Sequence, residues 1–236
     1  MPPSARLSLW RRRPRFLAAG VGVAVVAAVS GVLIARAGAG TDRCEEFATA
    51  ALQRWQTSVA AATDRPGSED RILVIGDSYS VGLGVEPEQS WPTRLPDRVL
   101  VDGFSGSGFS SDASECGDLS YASRAERRLA DAAGIDLVVV EGGLNDFDQS
   151  PEQIEEGVRR LFDVLGDRPV LVVGPPPAPS RATAVPLVDE QLRQLTEELG
   201  GTYLSMVEED YAYLPDDLHL TPGGHEEFGD RVAGEV

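Results

Sequence analysis

The chain of 236 residues contains no lysine: all 21 of its basic residues are arginine. That absence removes the phosphate-loop reading of GDSYSVGLG at 76–84, because such a loop needs a lysine and a glycine order that this stretch lacks. Positive charge is scarce as well, with 38 acidic residues giving a formal charge of −17. Six of the arginines (Arg6, Arg11, Arg12, Arg13, Arg15 and Arg36) fall in residues 1–40, which hold no acid, so the rest of the chain has 15 basic against 38 acidic residues, or −23. A surface of that sign repels nucleic acid and anionic lipid head groups, so no nucleic-acid partner is expected.

Cysteine and histidine are nearly as rare, with two of each. Cys44 and Cys116 form no CxxC and have no suitably spaced histidines, so no metal site is expected from them. Long apolar runs are absent except for one, FLAAGVGVAVVAAVSGVLIA from Phe16 to Ala35, directly behind WRRRPR. A bilayer core is about 30 Å thick, and a run of this length can cross it. The arginine block in front places residues 1–15 on the cytoplasmic side and the remainder outside. Ala35-Arg36-Ala37 and Ala37-Gly38-Ala39 also resemble small-residue cleavage sites. Residues 16–37 are therefore expected to be a transmembrane anchor or a signal peptide, and the chain beyond them is expected to be extracytoplasmic, anchored or secreted. In an oxidising compartment Cys44 and Cys116 are expected to pair as a disulfide, with two free buried cysteines as the alternative.

Residues 41–70 are expected to be a juxtamembrane helix and linker. CEEFATAALQRWQTSVAAAT (44–63) has helix-forming composition, with Phe47, Ala51, Trp55 and Val59 spaced by four as a core-packing stripe, and DRPGSED (64–70) is a linker. From Arg71 onward, apolar β-branched runs at 71–76, 98–102, 135–141, 168–174 and 202–207 alternate with helical stretches at 121–133, 151–165, 186–199 and after Pro222. Continuous rather than alternating apolar runs indicate strands buried on both faces. The alternation predicts an α/β fold with a parallel sheet between helices, whose chemistry collects at the C-terminal strand ends.

Those ends carry a consistent set of groups. Gly76-Asp77-Ser78 follows the first strand, Gly106-Ser107-Gly108-Phe109-Ser110 the second, and Gly142-Gly143-Leu144-Asn145-Asp146 the third. Asp216-Asp217-Leu218-His219 lies near the C-terminus. Serine becomes a nucleophile when a neutral histidine takes its proton, and the histidine needs a carboxylate on its other nitrogen. Ser78, His219 and Asp216 can fill those roles. The oxyanion formed on attack needs donors already aimed at it, which the N–H groups of Ser78 and Gly108 and the Asn145 amide can supply. His219 has an aspartate three residues before it and His225 has Pro222 there, so His219 is the expected base and His225 a packing residue. Ser80 is expected to be a loop hydroxyl. Asp77 is expected to organise the turn, Asp146 to cap local backbone and Asp217 to be solvated.

Gly76-Asp77-Ser78, Gly108, Gly143-Leu144-Asn145-Asp146 and Asp216-Asp217-Leu218-His219 together resemble the four blocks of the SGNH (GDSL-type) hydrolase family. The resemblance covers residues 71–236. Tyr79 departs from the usual fourth letter, and Gly108 is preferred to Gly106 because Gly108-Phe109-Ser110 resembles the family's Gly-x-Thr/Ser. It implies a three-layer α/β/α sandwich with a flavodoxin-like parallel five-stranded sheet, Ser-His-Asp ester hydrolysis, and no cofactor. The expected substrate is a small-molecule, glycan or lipid ester with a short acyl group, since no insertion is large enough for a lid. Acyl transfer to a sugar or lipid hydroxyl and a non-catalytic binding module are the alternatives.

Overall fold

A computed structural model of the chain describes residues 18–64, 70–132 and 134–236, with side chains from residue 40 onward. It divides into two units, the first ending at Asp42 and the second running from Arg43 to Val236. Helix α1 (Ala18–Thr63) begins in the first, and its residues from 43 onward belong to the second. The basic terminus 1–15, the side chains of the expected anchor or signal 16–37 and most of the linker fall outside the described residues. Among the described residues no helix is long and apolar enough to cross a membrane.

Five strands form one sheet: β1 (Arg71–Gly76), β2 (Arg98–Gly103), β3 (Leu137–Glu141), β4 (Val170–Val173) and β5 (Thr202–Leu204). All neighbours are parallel, in the order β2-β1-β3-β4-β5. The order reverses between β1 and β3: the chain leaving β1 crosses to β2 on one side and the chain leaving β3 crosses to β4 on the other, which opens a crevice at the C-terminal ends of β1 and β3.

Alternate residues of each strand point to opposite faces. Ile72 and Val74 join one core with Val139, Leu171, Trp91 and Phe228, while Leu73 and Ile75 join the other with Val138, Val140, Leu161 and Leu192. Helices α3 (Tyr121–Asp131), α4 (Pro151–Leu165) and α5 (Val185–Glu198) cover the second face, and α6 (Pro222–Ala233) covers the first. The result is the expected three-layer α/β arrangement. Helix α4 shows how local signals agree with packing. Ser150 and Gln153 close a capping box, Pro151 starts the helix, and Ile154, Val158, Leu161 and Leu165 are buried on one side. Each such side chain contributes about 1.5–3 kcal/mol by leaving water.

Strand β5 is shorter than the expected 202–207. Its partner β4 ends at Val173, and after Gly174 N–H donates to Leu204 O the chain enters Pro175-Pro176-Pro177, which have no N–H to extend the ladder. The stripe expected on 44–63 also needs correction. Val59 is exposed, and the most buried side chains of this part of α1 are Arg54 and Ser58. Ser58 Oγ accepts from Val101 N–H at 2.9 Å, and Arg54 Nε donates to Ser80 O at 3.3 Å. This face of the helix meets polar backbone of edge strand β2 and of the turn that follows β1, so polar side chains are buried there to satisfy it. Cys44 and Cys116 are disulfide-bonded, with their Cα atoms 5.6 Å apart.

Candidate active site

Strand β1 ends at Gly76, and the chain turns at once into the short helix α2 (Ser78–Val81). Asp77 makes that turn: its Oδ1 accepts from Tyr79 N–H at 2.9 Å, capping the first orphan donors of α2. Gly76 has no room for a side chain, since a Cβ there would lie 2.0 Å from Ser80 Oγ and 2.7 Å from Glu141 Oε2. Ser78 is thereby lifted to the C-terminal edge of the sheet, where it is 7% exposed.

The base arrives from the far end of the sequence. A short antiparallel bridge, Tyr213 with Leu220, closes the loop that carries Asp216 and His219. Asp216 Oδ1 accepts from the N–H groups of Leu218 and His219, both at 3.0 Å, and Oδ2 faces His219 Nδ1 at 2.6 Å. His219 Nε2 then lies 3.1 Å from Ser78 Oγ, across 141 residues of sequence. Partial burial raises the Asp216 carboxyl, but hydrogen bonds from the His219 ring and from the His219 and Leu218 N–H groups outweigh it and bring it down to about 2. Ser78 and Asp216 are thus joined through His219, which touches both.

The donors expected for an oxyanion sit on neighbouring loops. Gly108 is irreplaceable at its position, since a Cβ would stand 2.5 Å from Asp146 Oδ2 and 2.8 Å from the Ala113 methyl. Asp146 does more than cap local backbone, correcting that expectation: Oδ2 accepts from Phe109 N–H at 3.0 Å and Oδ1 from Ser110 N–H at 2.8 Å, 37 and 36 residues away. It locks the glycine loop to the 143–146 turn. Asn145 Nδ2 donates to Asp77 Oδ2 at 3.1 Å and to Ser107 O at 2.9 Å, so its amide is oriented between the nucleophile turn and the glycine loop.

Three acids lie fully buried beneath these loops. Burial pushes Asp77 and Asp146 up to about 6, against the hydrogen bonds each accepts, and raises Glu141 well above the ordinary carboxylate range. Glu141, at the end of β3, accepts from Ser80 Oγ at 2.7 Å, so Ser80 is a buried strut rather than a loop hydroxyl. His225 is buried in α6 and meets Tyr79 edge-on at 5.8 Å, as expected of a packing residue. Among the described residues no group of three His, Cys, Asp or Glu side chains is placed to hold a metal ion.

Two contributors escaped the sequence reading. Tyr79, in the core, donates its hydroxyl to Leu218 O and so fixes the residue before His219. Arg124 of α3 donates to Gly76 O and Ser107 Oγ, bracing the nucleophile turn and glycine loop together. The departure from the usual fourth letter was a visible signal for Tyr79; an arginine in a polar helix gave none.

Comparison with known proteins bears on the family and the fold. An arylesterase of Vibrio mimicus is 31% identical over 109 residues, covering 45% of this chain and 54% of its own length, so the chain spans about half of that curated relative. Among solved structures, a carbohydrate acetylesterase family member from Sinorhizobium meliloti is similar with a TM-score of 0.59 at 20% identity, covering 71% of this chain and 97% of its own. The aryl esterase of M. smegmatis is similar with a TM-score of 0.60 at 19% identity, covering 71% and 98%. At these identities the structures speak for the fold. The sequence model that matches, over residues 74–227, carries the assignment: the chain belongs to the GDSL-like lipase/acylhydrolase family.

Proposed function

We propose that this protein is an extracytoplasmic serine esterase that hydrolyses short-acyl carboxylic esters through an acyl-Ser78 intermediate. The observation that carries the reading is the relay Ser78 Oγ–His219 Nε2 at 3.1 Å and His219 Nδ1–Asp216 Oδ2 at 2.6 Å. With Nδ1–H donating to Asp216, Nε2 is left as the acceptor for the serine proton. Ser78 Oγ attacks the ester carbonyl carbon as His219 takes that proton. The carbonyl oxygen becomes an oxyanion held by the N–H groups of Ser78 and Gly108 and by the Asn145 amide, one of whose two hydrogens turns to it from Asp77 Oδ2 or Ser107 O. His219 returns the proton to the departing alkoxide, and water, activated by the same nitrogen, releases the acid and free Ser78. The Cys44–Cys116 disulfide supports an oxidising compartment, and the apolar run at 16–35 behind its arginines supports export.

Labelling with a fluorophosphonate probe tests this. The wild-type protein is expected to label and to hydrolyse aryl acetates, and Ser78→Ala to do neither while remaining folded. Labelling that survives in Ser78→Ala sinks the assignment.

A further inference from the structure

The family match begins at residue 74, yet α1 reaches the site from outside it. Three contacts fasten residues 43–47 to the 104–116 loop: the Cys44–Cys116 disulfide, Arg43 to Glu115 at 2.8 Å, and Phe47 edge-to-face on Phe104 with ring centres 6.3 Å apart. Beside Asn145 they enclose a cleft of about 210 Å³, walled by Phe47, Gly106, Ala113, Cys116 and Phe147. Gly106 has φ +81, and the nearest atom to a Cβ built on it is Phe47 Cε2 at 4.0 Å, so the space in front of that ring is open. Phe147 is held from behind by the Arg181 guanidinium, 3.7 Å from its ring centre.

We infer that this cleft is the acyl subsite of the esterase, and that Phe47, carried by α1 and held by the disulfide, sets the longest acyl group it takes. The inference rests on the hydrolase reading above. The leaving alkoxide must receive its proton from His219 Nε2, so the leaving group lies on the His219 side of Ser78. No lining residue of the cleft comes from the 213–225 segment among the described residues; the cleft shares Asn145 with the oxyanion side instead. The group that enters it is the acyl group. Its volume is below the roughly 300–1,000 Å³ of sites for drug-sized ligands, which fits a short chain or a single ring. Phenylalanine and alanine walls favour an uncharged group, and the rim carboxylate of Asp148 repels an acidic one.

The test is kcat/KM for wild type, Phe47→Ala and Phe47→Trp on two ester series. One keeps a single aryl leaving group and runs from acetyl to octanoyl; the other keeps acetyl and enlarges the leaving group. Phe47→Ala is expected to raise the preference for the longer acyl groups about tenfold, and Phe47→Trp to lower it, with the leaving-group ranking unchanged. Phe47→Trp keeps an aromatic ring against Phe104, so it reports even where the alanine variant unfolds. An acyl-length profile that neither variant moves overturns the inference, and so does a shift confined to the leaving-group series. Wild-type protein with no Ser78-dependent turnover of any ester overturns the hydrolase reading itself, and is distinguished before the variants are compared.

Discussion

The guanidinium of Arg124, in α3, donates from Nη2 to the carbonyl oxygen of Gly76 at 2.8 Å, two residues before Ser78. The same group donates to Ser107 Oγ at 3.0 Å, Leu119 O at 3.1 Å and Asp102 Oδ2 at 3.1 Å, as well as to Asp102 O. One buried cation therefore ties together the ends of β1 and β2 and the glycine loop. Only a planar fork can reach so many acceptors at once, which lysine's single ammonium cannot do.

Arg124→Met is expected to cost about 3–5 kcal/mol, because it leaves buried carbonyl oxygens of Gly76 and Asp102 without their donor and leaves the buried Asp102 carboxylate with Arg128 alone. Urea unfolding at neutral pH measures it. Arg124→Lys is expected to recover little of the loss, and full recovery would show that charge rather than the fork is what the site needs.

Asp77→Asn tests the orientation of Asn145. The aspartate accepts from Tyr79 N–H and from the Asn145 amide. An asparagine can still accept from Tyr79 N–H, but its own NH2 then faces that of Asn145, donor against donor. The expected outcome is a fall in kcat of roughly 10²–10³-fold, the range for loss of an oxyanion donor, with little change in melting temperature. Unaltered kcat would show that Asn145 keeps its place without this carboxylate.

His225 gives a pH signature. Burial lowers its ring to about 4 from an ordinary value of 6.5, with the charges of His219 and Arg54 adding to the effect. Between those values the unfolded chain holds the proton and the folded one does not, so this group's contribution falls as pH drops from about 6.5 to about 4. Asp77 and Asp146, raised to about 6, act in the opposite sense over a similar window, so the informative quantity is the difference between variants. His225→Phe is expected to gain up to about 3 kcal/mol relative to wild type across that window. Denaturant titrations at pH 7 and pH 4.5 measure it; a gap independent of pH contradicts the assignment. Turnover at neutral pH is expected to survive in this variant and to vanish in His219→Ala.

Reduction of Cys44–Cys116 is expected to lower stability by about 4 kcal/mol in the chain-entropy account, given a loop spanning 72 residues. Thermal unfolding with and without reductant measures the effect, with the double serine variant as the reagent-free control. An unchanged melting temperature would mean that α1 is held by its side-chain contacts alone.

Much of this molecule could be read from local pattern. The β-branched runs gave each strand to within a few residues, and α4 was bounded at both ends by its own capping box and glycine. The residues at the strand ends pointed to Ser78, Asp216 and His219 as a serine with its base and acid, and the structure brings these three together, His219 touching both others. Gly108 and Asn145 are proposed beside them as oxyanion donors. Where β5 stops was not legible, since pairing ends with its neighbour β4 and not with its own apolar residues.

Sequence by itself therefore determined the elements and the chemical types at their ends, which depend on neighbours within a few residues. Tertiary structure decided which distant groups meet. Asp146 holds the glycine loop 36 residues back, Arg54 and Ser58 serve the backbone of the nucleophile turn and an edge strand, Arg124 gathers three segments, and Phe47 packs against Phe104 and walls a cleft beside Asn145. Each of these is a polar group or ring placed by long-range packing, and its partner is set by where the fold leaves an unsatisfied donor, acceptor or space, which no local pattern encodes.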